Sequence, residues 1–443
     1  MTATAAQRLA GYAAGLRFED LPEDVVRLAK YCLIDACACA IHGSRLPWSR
    51  IVLETTLSSA GAGSCGLLDV FPRGLPPAPA ALCLGAFAHA FELDSLRKPG
   101  AGVHPGATVA MPALAVAQAV GAGGRDLVAA IAAGCEVMFR IGDATLHSSE
   151  KAGFHAPGIT GPFGAATAAG RLMKLDAGAM ARAYGIAGSL SAGLLNFARS
   201  RDGGMVKRLH LGRAAEAGVL AAELAARGFE GPLAVLEGKY GVLDAFCEAS
   251  EPERLTAGLG SAFEIRKLCL KRYACHVTAQ APIQLFSDLA GQHRISGDRI
   301  RAVSLEVSDK VLSHHSERRP TDLMLAQYSV PFSLAVAVLR DPDDPGSFDD
   351  SALADPAIGR LAETMELVAD GRKGWDTRMR LRLDDGTELS AEASSFLGCP
   401  ETPFGEADLL RKFARLAGPA HAHLAERLLH VERATRSTEL FSM

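Results

Sequence analysis

From its start to about residue 262 the chain carries an almost unbroken helical pattern rich in alanine and glycine. The segment LPEDVVRLAKYCLIDACACAIHG (21–43) is typical, because its apolar residues recur at spacings of three and four. Pro22 and acidic residues stand in its first turn, and Gly43 closes it. Comparable segments follow at 79–92, 107–121, 125–141, 161–173, 178–194 and 211–227. The pattern predicts a large all-helical domain whose small residues allow close helix packing.

The composition changes near Ser261. Residues 300–312 (IRAVSLEVSDKVL) alternate apolar and polar side chains, and residues 379–393 (MRLRLDDGTELSAEA) form two alternating arms around Asp385-Gly386. Alternation predicts strands, and an Asp-Gly pair between two such arms predicts a hairpin. Helical patterns lie between these segments, at 278–292, 323–339 and 351–369.

A chain of 443 residues is too long for a single core, so we expect two domains. Residues 1–264 and 401–443 are assigned to the all-helical domain, because the tail is helical again. Residues 265–400 are assigned to a small α+β lid domain. The predicted fold class is therefore mainly α with a small α+β lid.

Several classes of protein are excluded by composition and motifs. A formal net charge of −4 does not favour a nucleic-acid partner. The N-terminus has no long apolar core, and alanine-rich runs are interrupted by Gly and Pro, so we expect no secretory signal and no membrane span. The ten cysteines form no CxxC pair, which predicts reduced thiols in a cytoplasmic protein and no metal site. Dinucleotide, P-loop and GxSxG motifs are absent.

Ionisable residues are concentrated in AHAFELDSLRKPGAGVHPGATVAMPALAVAQA (88–119), at the mouth of an apolar helical segment. They are Glu92, Asp94, Arg97, Lys98 and His104. Buried ionisable groups are costly unless paired, whereas a helix start with nearby cations attracts a carboxylate. The stretch is either one wall of a carboxylate site or a solvated loop with ordinary salt bridges.

Two further clusters lie in the helical part. His155 sits in a Gly/Pro-rich loop (147–170) before a helix of small residues, where it is either structural or catalytic. Lys207, Arg208, His210 and Arg213 gather at the start of another helix. Because cations there oppose the helix macrodipole, this cluster calls for an anion rather than being only an exposed basic turn.

The last clusters belong to the second part of the chain. Lys271, Arg272, Tyr273 and His276 fall at the junction of the two predicted domains, where ligand sites are favoured. The junction could equally be structural. In SHHSERRPTDLMLAQYSVPFS (313–333), the segment Gln327-Tyr328-Ser329 is interpreted as helix packing.

Taken in order, these segments resemble the MmgE/PrpD family, which includes 2-methylcitrate dehydratase, cis-aconitate decarboxylase and iminodisuccinate epimerase. The motifs that carry the resemblance are LPEDVVRLAKYCLIDACACAIHG, AHAFELDSL…VHPGATVAMPALA, GFHAPGITGPFGAAT, MVKRLHLGRAAEAGVLAAELAARGFEGP, KRYACH and AQYSVPFSLAVAV. The resemblance implies a helical domain with a lid, a site in the cleft between them, a homodimer, and no metal or organic cofactor.

The resemblance also implies which residues act. The family's motifs fall on Glu92 and Asp94, His104, His155, Lys207 with His210, and Lys271 with His276. Two positions depart from the family pattern: Ser95 follows Asp94 where a second acid is usual, and Arg272 stands where proline is usual. Both departures leave the substrate open.

The family's reactions break a bond beside a carboxylate, so negative charge builds up and needs fixed cations. We expect His104 and His276 to transfer protons, with Asp94 orienting and His155 and Lys207 assisting. The expected substrate-binding residues are Glu92, Lys98, His210, Lys271, Arg272 and Tyr273.

The leading expectation is a dehydratase acting on a 2-methylcitrate-like di- or tricarboxylate through an enediolate. An epimerase of an iminodisuccinate-like acid comes second and a cis-aconitate-type decarboxylase third. A non-enzyme alternative is an inactive carboxylate-binding paralogue.

Overall fold

The computed structural model describes residues 3–100, 102–198, 204–372 and 374–440. Its first part is helical, as the periodicity predicts. The helices are α1 (Ala5–Gly15), α2 (Glu23–Gly43), α3 (Pro47–Ser59), α4 (Pro77–Ala88), α5 (Met111–Val120), α6 (Gly124–Ala144), α7 (Ala156–Leu172), α8 (Ala177–Ser189), α9 (Val206–Ala226) and α10 (Val242–Phe246).

Small residues decide how closely the central helices approach. Helix α7 packs between α6 and α9, and nearly all of its residues are buried. A Cβ atom on Gly218 of α9 would lie only 2.4 Å from the Pro162 carbonyl oxygen and 2.4 Å from the Ala165 Cβ. The glycine content of this part is therefore a packing requirement.

The second part contains a four-stranded sheet flanked by helices. Its helices are α11 (Val277–His293), α12 (Asp309–His314), α13 (Leu323–Tyr328), α14 (Val330–Leu339), α15 (Asp350–Ala354) and α16 (Pro356–Thr364). Its strands are β3 (Ile300–Val307), β4 (Glu366–Ala369), β5 (Thr377–Leu383) and β6 (Glu388–Ala393), in the order β4-β3-β5-β6. Only β3 and β4 pair in parallel; the other neighbours are antiparallel.

The hairpin predicted around Asp385-Gly386 is confirmed, because β5 pairs with β6 across that turn. The single helix predicted over 351–369 is wrong. Pro356 begins a new helix after Asp355, whose side chain caps it, and residues 366–369 form an edge strand. The first part also contributes β1 (Leu96–Arg97), which pairs with β2 (Leu268–Cys269), a ladder too short to leave an alternating signal.

The C-terminal helices α17 (Glu406–Ala417) and α18 (Ala422–Leu429) pack against α2, far away along the chain. Buried Lys412 of α17 contacts Asp35 of α2 at 2.5 Å. The tail therefore lies on the helical part, behind the segment that follows α4. Within the described ranges, no helix is long and apolar enough to cross a bilayer.

The close approach of α7 and α9 gives a stability prediction. Gly218→Ala should lower the free energy of unfolding by about 1–3 kcal/mol, because the added methyl group overlaps backbone and side-chain atoms. The matched change Gly11→Ala, at an exposed position of α1 where a Cβ atom meets nothing within 4 Å, should raise it by up to about 1 kcal/mol through helix propensity. Thermal and urea unfolding followed by circular dichroism compare the two; equal effects would contradict this account of the packing.

Candidate active site

A cavity of about 370 Å³ lies between the helical part and the second part of the chain. The helical part contributes His104, His155 and Lys207 to its wall, and the junction contributes Lys271 and His276. Other lining residues include Glu92, Arg97, His147, Glu150, Thr278, Lys310, Tyr328 and Trp375. Cation-bearing segments from both parts thus meet at one pocket.

Glu92 is the electrostatic centre of this wall. Helix α4 ends at Ala88, and Glu92 lies in the following turn with a left-handed φ of 58°. Its buried carboxylate accepts hydrogen bonds from Lys207, from Arg208 Nη1 at 2.5 Å and from Lys271 Nζ at 3.1 Å. Burial alone would raise the pKa of Glu92, but the three cations outweigh it and hold that pKa well below its usual value.

Three cations around one carboxylate leave an excess of positive charge. Burial, with repulsion from Arg208 and Lys271, lowers the pKa of Lys207 to about 7 despite its contact with Glu92. The Lys207 ammonium also lies 4.3 Å from the centre of the Tyr328 ring. The amino group of Lys207 therefore gains or loses its proton near neutral pH.

Asp94 links two histidines. Its Oδ1 lies 2.9 Å from His89 Nδ1, and its Oδ2 lies 3.0 Å from His104 Nδ1. These contacts leave His104 Nε2 as the ring nitrogen available to the cavity. Although burial raises the pKa of Asp94, the two histidines lower it well below its usual value. Ser95 instead accepts a hydrogen bond from the Gly106 N–H at 3.1 Å, so it fastens this turn to the HPG segment.

His276 stands where α11 begins and has ring partners on its lid side. Its Nδ1 contacts Thr278 Oγ1 at 2.9 Å, and its ring stacks on His315 with centroids 4.0 Å apart. The Tyr328 ring lies 4.7 Å away. Burial is the main cause that lowers the pKa of His276 well below its usual value, and the neighbouring His315 is the second. The ring is therefore neutral in the empty pocket.

His155 is the residue immediately before α7, on the opposite side of the cavity from His276. Its Nδ1 lies 3.0 Å from His210 Nδ1, and Phe197 packs edge-on against its ring. Burial, together with the nearby Lys207, lowers the pKa of His155 well below its usual value. His155 is thus a neutral, oriented ring in the cavity wall.

Four residues expected to bind substrate do not border the cavity, which corrects the prediction. Lys98 donates to the Ser394 carbonyl at 2.7 Å and contacts Glu401, and His210 lies behind His155. Arg272 forms a two-point ion pair with Asp343, at 2.6 and 2.7 Å, on the far side of the junction. Tyr273 is fully buried in the core. Glu92 does border the cavity, but its carboxylate is already occupied by cations.

The structure also adds residues that sequence reasoning missed. His89 is hidden in a helical pattern, and Tyr328 was assigned to helix packing, yet both belong to the site. Arg97 is buried against Asp143 and Glu264. At the mouth, His147, Glu150 and Lys310 contact one another across the two parts of the chain. Arg97 was already named in the ionisable stretch 88–119. No motif marked the others, and the contacts of Arg97 and Lys310 join segments that are distant in sequence.

Within the described ranges, one group has the donor density of a metal site. The ligand atoms of His89, Asp94 and His104 lie within 4.8 Å of one another. Both histidines direct Nδ1 to the Asp94 carboxylate at hydrogen-bonding distance, so these two bonds account for the spacing.

Comparison with known proteins gives a consistent result along the whole chain. The MmgE/PrpD N-terminal domain matches residues 7–255, and the MmgE/PrpD C-terminal domain matches residues 273–436. A cis-aconitate decarboxylase of Aspergillus terreus is 32% identical over 438 residues, covering 92% of this chain and 88% of the relative. The cis-aconitate decarboxylases of Mus musculus and Homo sapiens are each 24% identical, over 93% and 90% of this chain and 86% and 85% of their own length.

The cluster at Glu92 gives a second stability prediction. Glu92→Gln should lower the free energy of unfolding by about 3–5 kcal/mol, because it leaves buried cations without their anion. Glu363→Gln, which removes an exposed ion pair with Arg319, should cost about 0–1 kcal/mol. Urea unfolding at pH 7 measures both. A Glu92→Gln protein as stable as the control would show that the cations do not depend on this carboxylate.

Proposed function

The chain belongs to the MmgE/PrpD family, and from that premise we propose that it is a lyase that removes carbon dioxide from an unsaturated tricarboxylate of the cis-aconitate type. The observation that carries the proposal is the cationic cluster at the cavity wall. Lys207 and Lys271 line the cavity and share the carboxylate of Glu92 with Arg208, which lies behind them. The names of the relatives supply the substrate class.

The charge of the wall suits a multiply charged acid. Lys207 and Lys271 both border the cavity, and the single carboxylate of Glu92 can neutralise only one of the three basic side chains around it. A bound anion therefore favours the charged form of Lys207. Such charge acts strongly in a cavity that excludes water. We infer that these lysines hold the carboxylate on which negative charge develops.

The bond changes can be written for cis-aconitate itself. Of its three carboxylates, the one on the CH2 group can leave as carbon dioxide and pass its electron pair into the adjacent double bond. The resulting allylic anion extends to the carboxylate at the far end, where the lysines stabilise it. One proton then adds to carbon, so the trianion and a proton become carbon dioxide and a five-carbon unsaturated dicarboxylate.

We assign delivery of that proton to His104. Its Nδ1 is held by Asp94, which fixes the ring and leaves Nε2 as the nitrogen that can donate toward the cavity. His155 and His276 lie in opposite walls and are neutral in the empty cavity, so they position carboxylates or exchange protons once an anion has bound. No metal or organic cofactor has a step in this scheme.

The sequence analysis ranked a dehydratase first, an epimerase second and a decarboxylase third. The names of the relatives support the decarboxylase as the first candidate, because those named above are all called decarboxylases. A homodimer and a cytoplasmic location remain predictions.

One experiment distinguishes the three reactions. Purified protein is incubated in deuterium oxide with cis-aconitate, citrate, 2-methylcitrate or iminodisuccinate and followed by ¹H and ¹³C NMR. We expect carbon dioxide and a singly deuterated five-carbon dicarboxylate from cis-aconitate alone. An unsaturated product from 2-methylcitrate would favour the dehydratase, deuterium exchange without elimination the epimerase, and no turnover the inactive paralogue.

The proton-delivery role predicts a large kinetic defect. His104→Gln should lower kcat by about 10²–10⁴-fold, because the amide cannot donate a proton at neutral pH. KM should change little, since the lysines remain. His423→Gln, at an exposed position of α18, is the control and should keep full activity. Product formation within threefold of wild type in His104→Gln would remove His104 from this role.

The lowered pKa of Lys207 predicts proton uptake on binding. At pH 8 the ammonium of the empty enzyme is mostly deprotonated, because its pKa is about 7, and a bound trianion favours the charged form. The His104→Gln protein should therefore take up close to one proton per cis-aconitate bound, and its affinity should fall as the pH rises above about 7. Calorimetry in buffers of different ionisation enthalpy measures the uptake. The matched His104→Gln/Lys207→Arg protein, whose guanidinium stays charged, should take up about one proton fewer; equal uptake in the two proteins would contradict the assignment.

A further inference from the structure

Five consecutive main-chain carbonyls after α4 each accept a hydrogen bond from a side chain on a different segment. Arg208 donates to the His89 carbonyl at 3.2 Å, Trp48 to Ala90 at 3.1 Å, Gln327 to Phe91 at 3.0 Å, Lys271 to Glu92 at 2.8 Å and Lys412 to Leu93 at 2.7 Å. These carbonyls lie in a turn outside any helix or strand, where main-chain groups need other partners, and here side chains supply them. This turn carries Glu92 and leads directly to Asp94.

Lys412 differs from the other donors because it comes from the C-terminal tail, and it does not line the cavity. Its buried ammonium has three acceptors: Asp35 Oδ1 at 2.5 Å, the Leu93 carbonyl at 2.7 Å and the Lys271 carbonyl at 2.7 Å. Three donor hydrogens on one nitrogen thus meet three acceptors on three segments.

We propose that Lys412 is a positioning residue for the active site. Leu93 stands between Glu92 and Asp94, so fixing its carbonyl fixes the main chain of both acids. The second carbonyl belongs to Lys271, whose own side chain reaches back to the Glu92 carbonyl and carboxylate. Lys412 and Lys271 therefore join the turn to the junction at two points. These bonds hold the Glu92 carboxylate opposite the Lys271 ammonium.

The left-handed conformation of Glu92 explains why the turn needs these bonds. A residue other than glycine in that region is strained and persists only where its surroundings hold it. Lys271 bonds the carbonyl of this strained residue, and Lys412 bonds the carbonyl of the next residue, Leu93. Without Lys412 the turn can relax, and a displacement of about 1 Å at a catalytic group can cost 10²-fold in rate.

The test removes the hydrogen bonds of Lys412 without leaving an unpaired buried charge. In Lys412→Met/Asp35→Asn both members of the buried pair become neutral, which avoids the penalty of an unpaired carboxylate. The matched control is Lys30→Met/Glu432→Gln, because Lys30 and Glu432 also tie α2 to the tail, at 3.0 Å, but bond to each other rather than to the active-site turn. Both proteins are compared with the full-length wild type.

The first readout does not depend on the substrate. Hydrogen–deuterium exchange of peptides covering residues 89–98 and 268–274 should be faster in Lys412→Met/Asp35→Asn and unchanged in the control. The second readout rests on the proposed function: kcat for cis-aconitate should fall by about 10- to 100-fold with KM within threefold. If the wild type does not turn over cis-aconitate, the proposed function fails, and the exchange data still decide on Lys412.

Unchanged exchange in both peptides, or a kcat within twofold of wild type in a folded double variant, would overturn the proposal. Should that variant fail to fold, two single variants decide. Asp35→Asn keeps the Lys412 bonds to both carbonyls and should retain activity. Lys412→Gln has too few donors for the three acceptors, so its kcat should fall by about tenfold. Equal activity of the two would also overturn it.

Discussion

The buried carboxylate of Glu92 is the interaction on which the site depends. An isolated charge in the interior is very costly, so Glu92 requires partners, and they come from α9 and from the junction between the two parts of the chain. Each of those partners would in turn be unstable alone in the same place. The cluster therefore ties the end of α4, the start of α9 and the junction into one unit, and the cavity is its open side.

The cluster also answers a question that the sequence posed about α9. Lysine and arginine at the start of a helix oppose its macrodipole and call for an anion. The structure supplies that anion from within the chain, since Glu92 contacts both Lys207 and Arg208. With Lys271 as a third cation, the protein's own carboxylate stabilises the fold but does not cancel the charge. The remaining positive potential is what a substrate anion can use.

The sequence was a good guide to the fold class and to the segments that form the site. It was a poorer guide to which individual side chains face the cavity. His104, His155, Lys207, Lys271 and His276 were all named and all border one cavity, because strong local motifs marked their segments. Arg272 was misplaced because neighbouring residues in an extended segment face opposite ways: Lys271 turns to Glu92, and its neighbour turns to Asp343.

Other features had no local signal at all. The edge strand at residues 366–369 is only four residues long, and its parallel partner β3 lies some sixty residues earlier, so a helical interpretation prevailed. Lys412 lies in an amphipathic helix, where a lysine is usually solvated; only the fold shows that it reaches Asp35 and two carbonyls.

The protonation states of the empty cavity lead to a final point about the chemistry. Burial keeps His155 and His276 neutral, and it lowers the pKa of Lys207 toward neutrality, so the empty pocket holds fewer protons than its residue types suggest. A multiply charged acid reverses these shifts, because its negative charge favours every protonated form around it. Binding and protonation of the pocket are therefore one coupled event. A reaction that ends by adding a proton to carbon gains from this coupling, since the same anion that needs the proton also draws protons into the site.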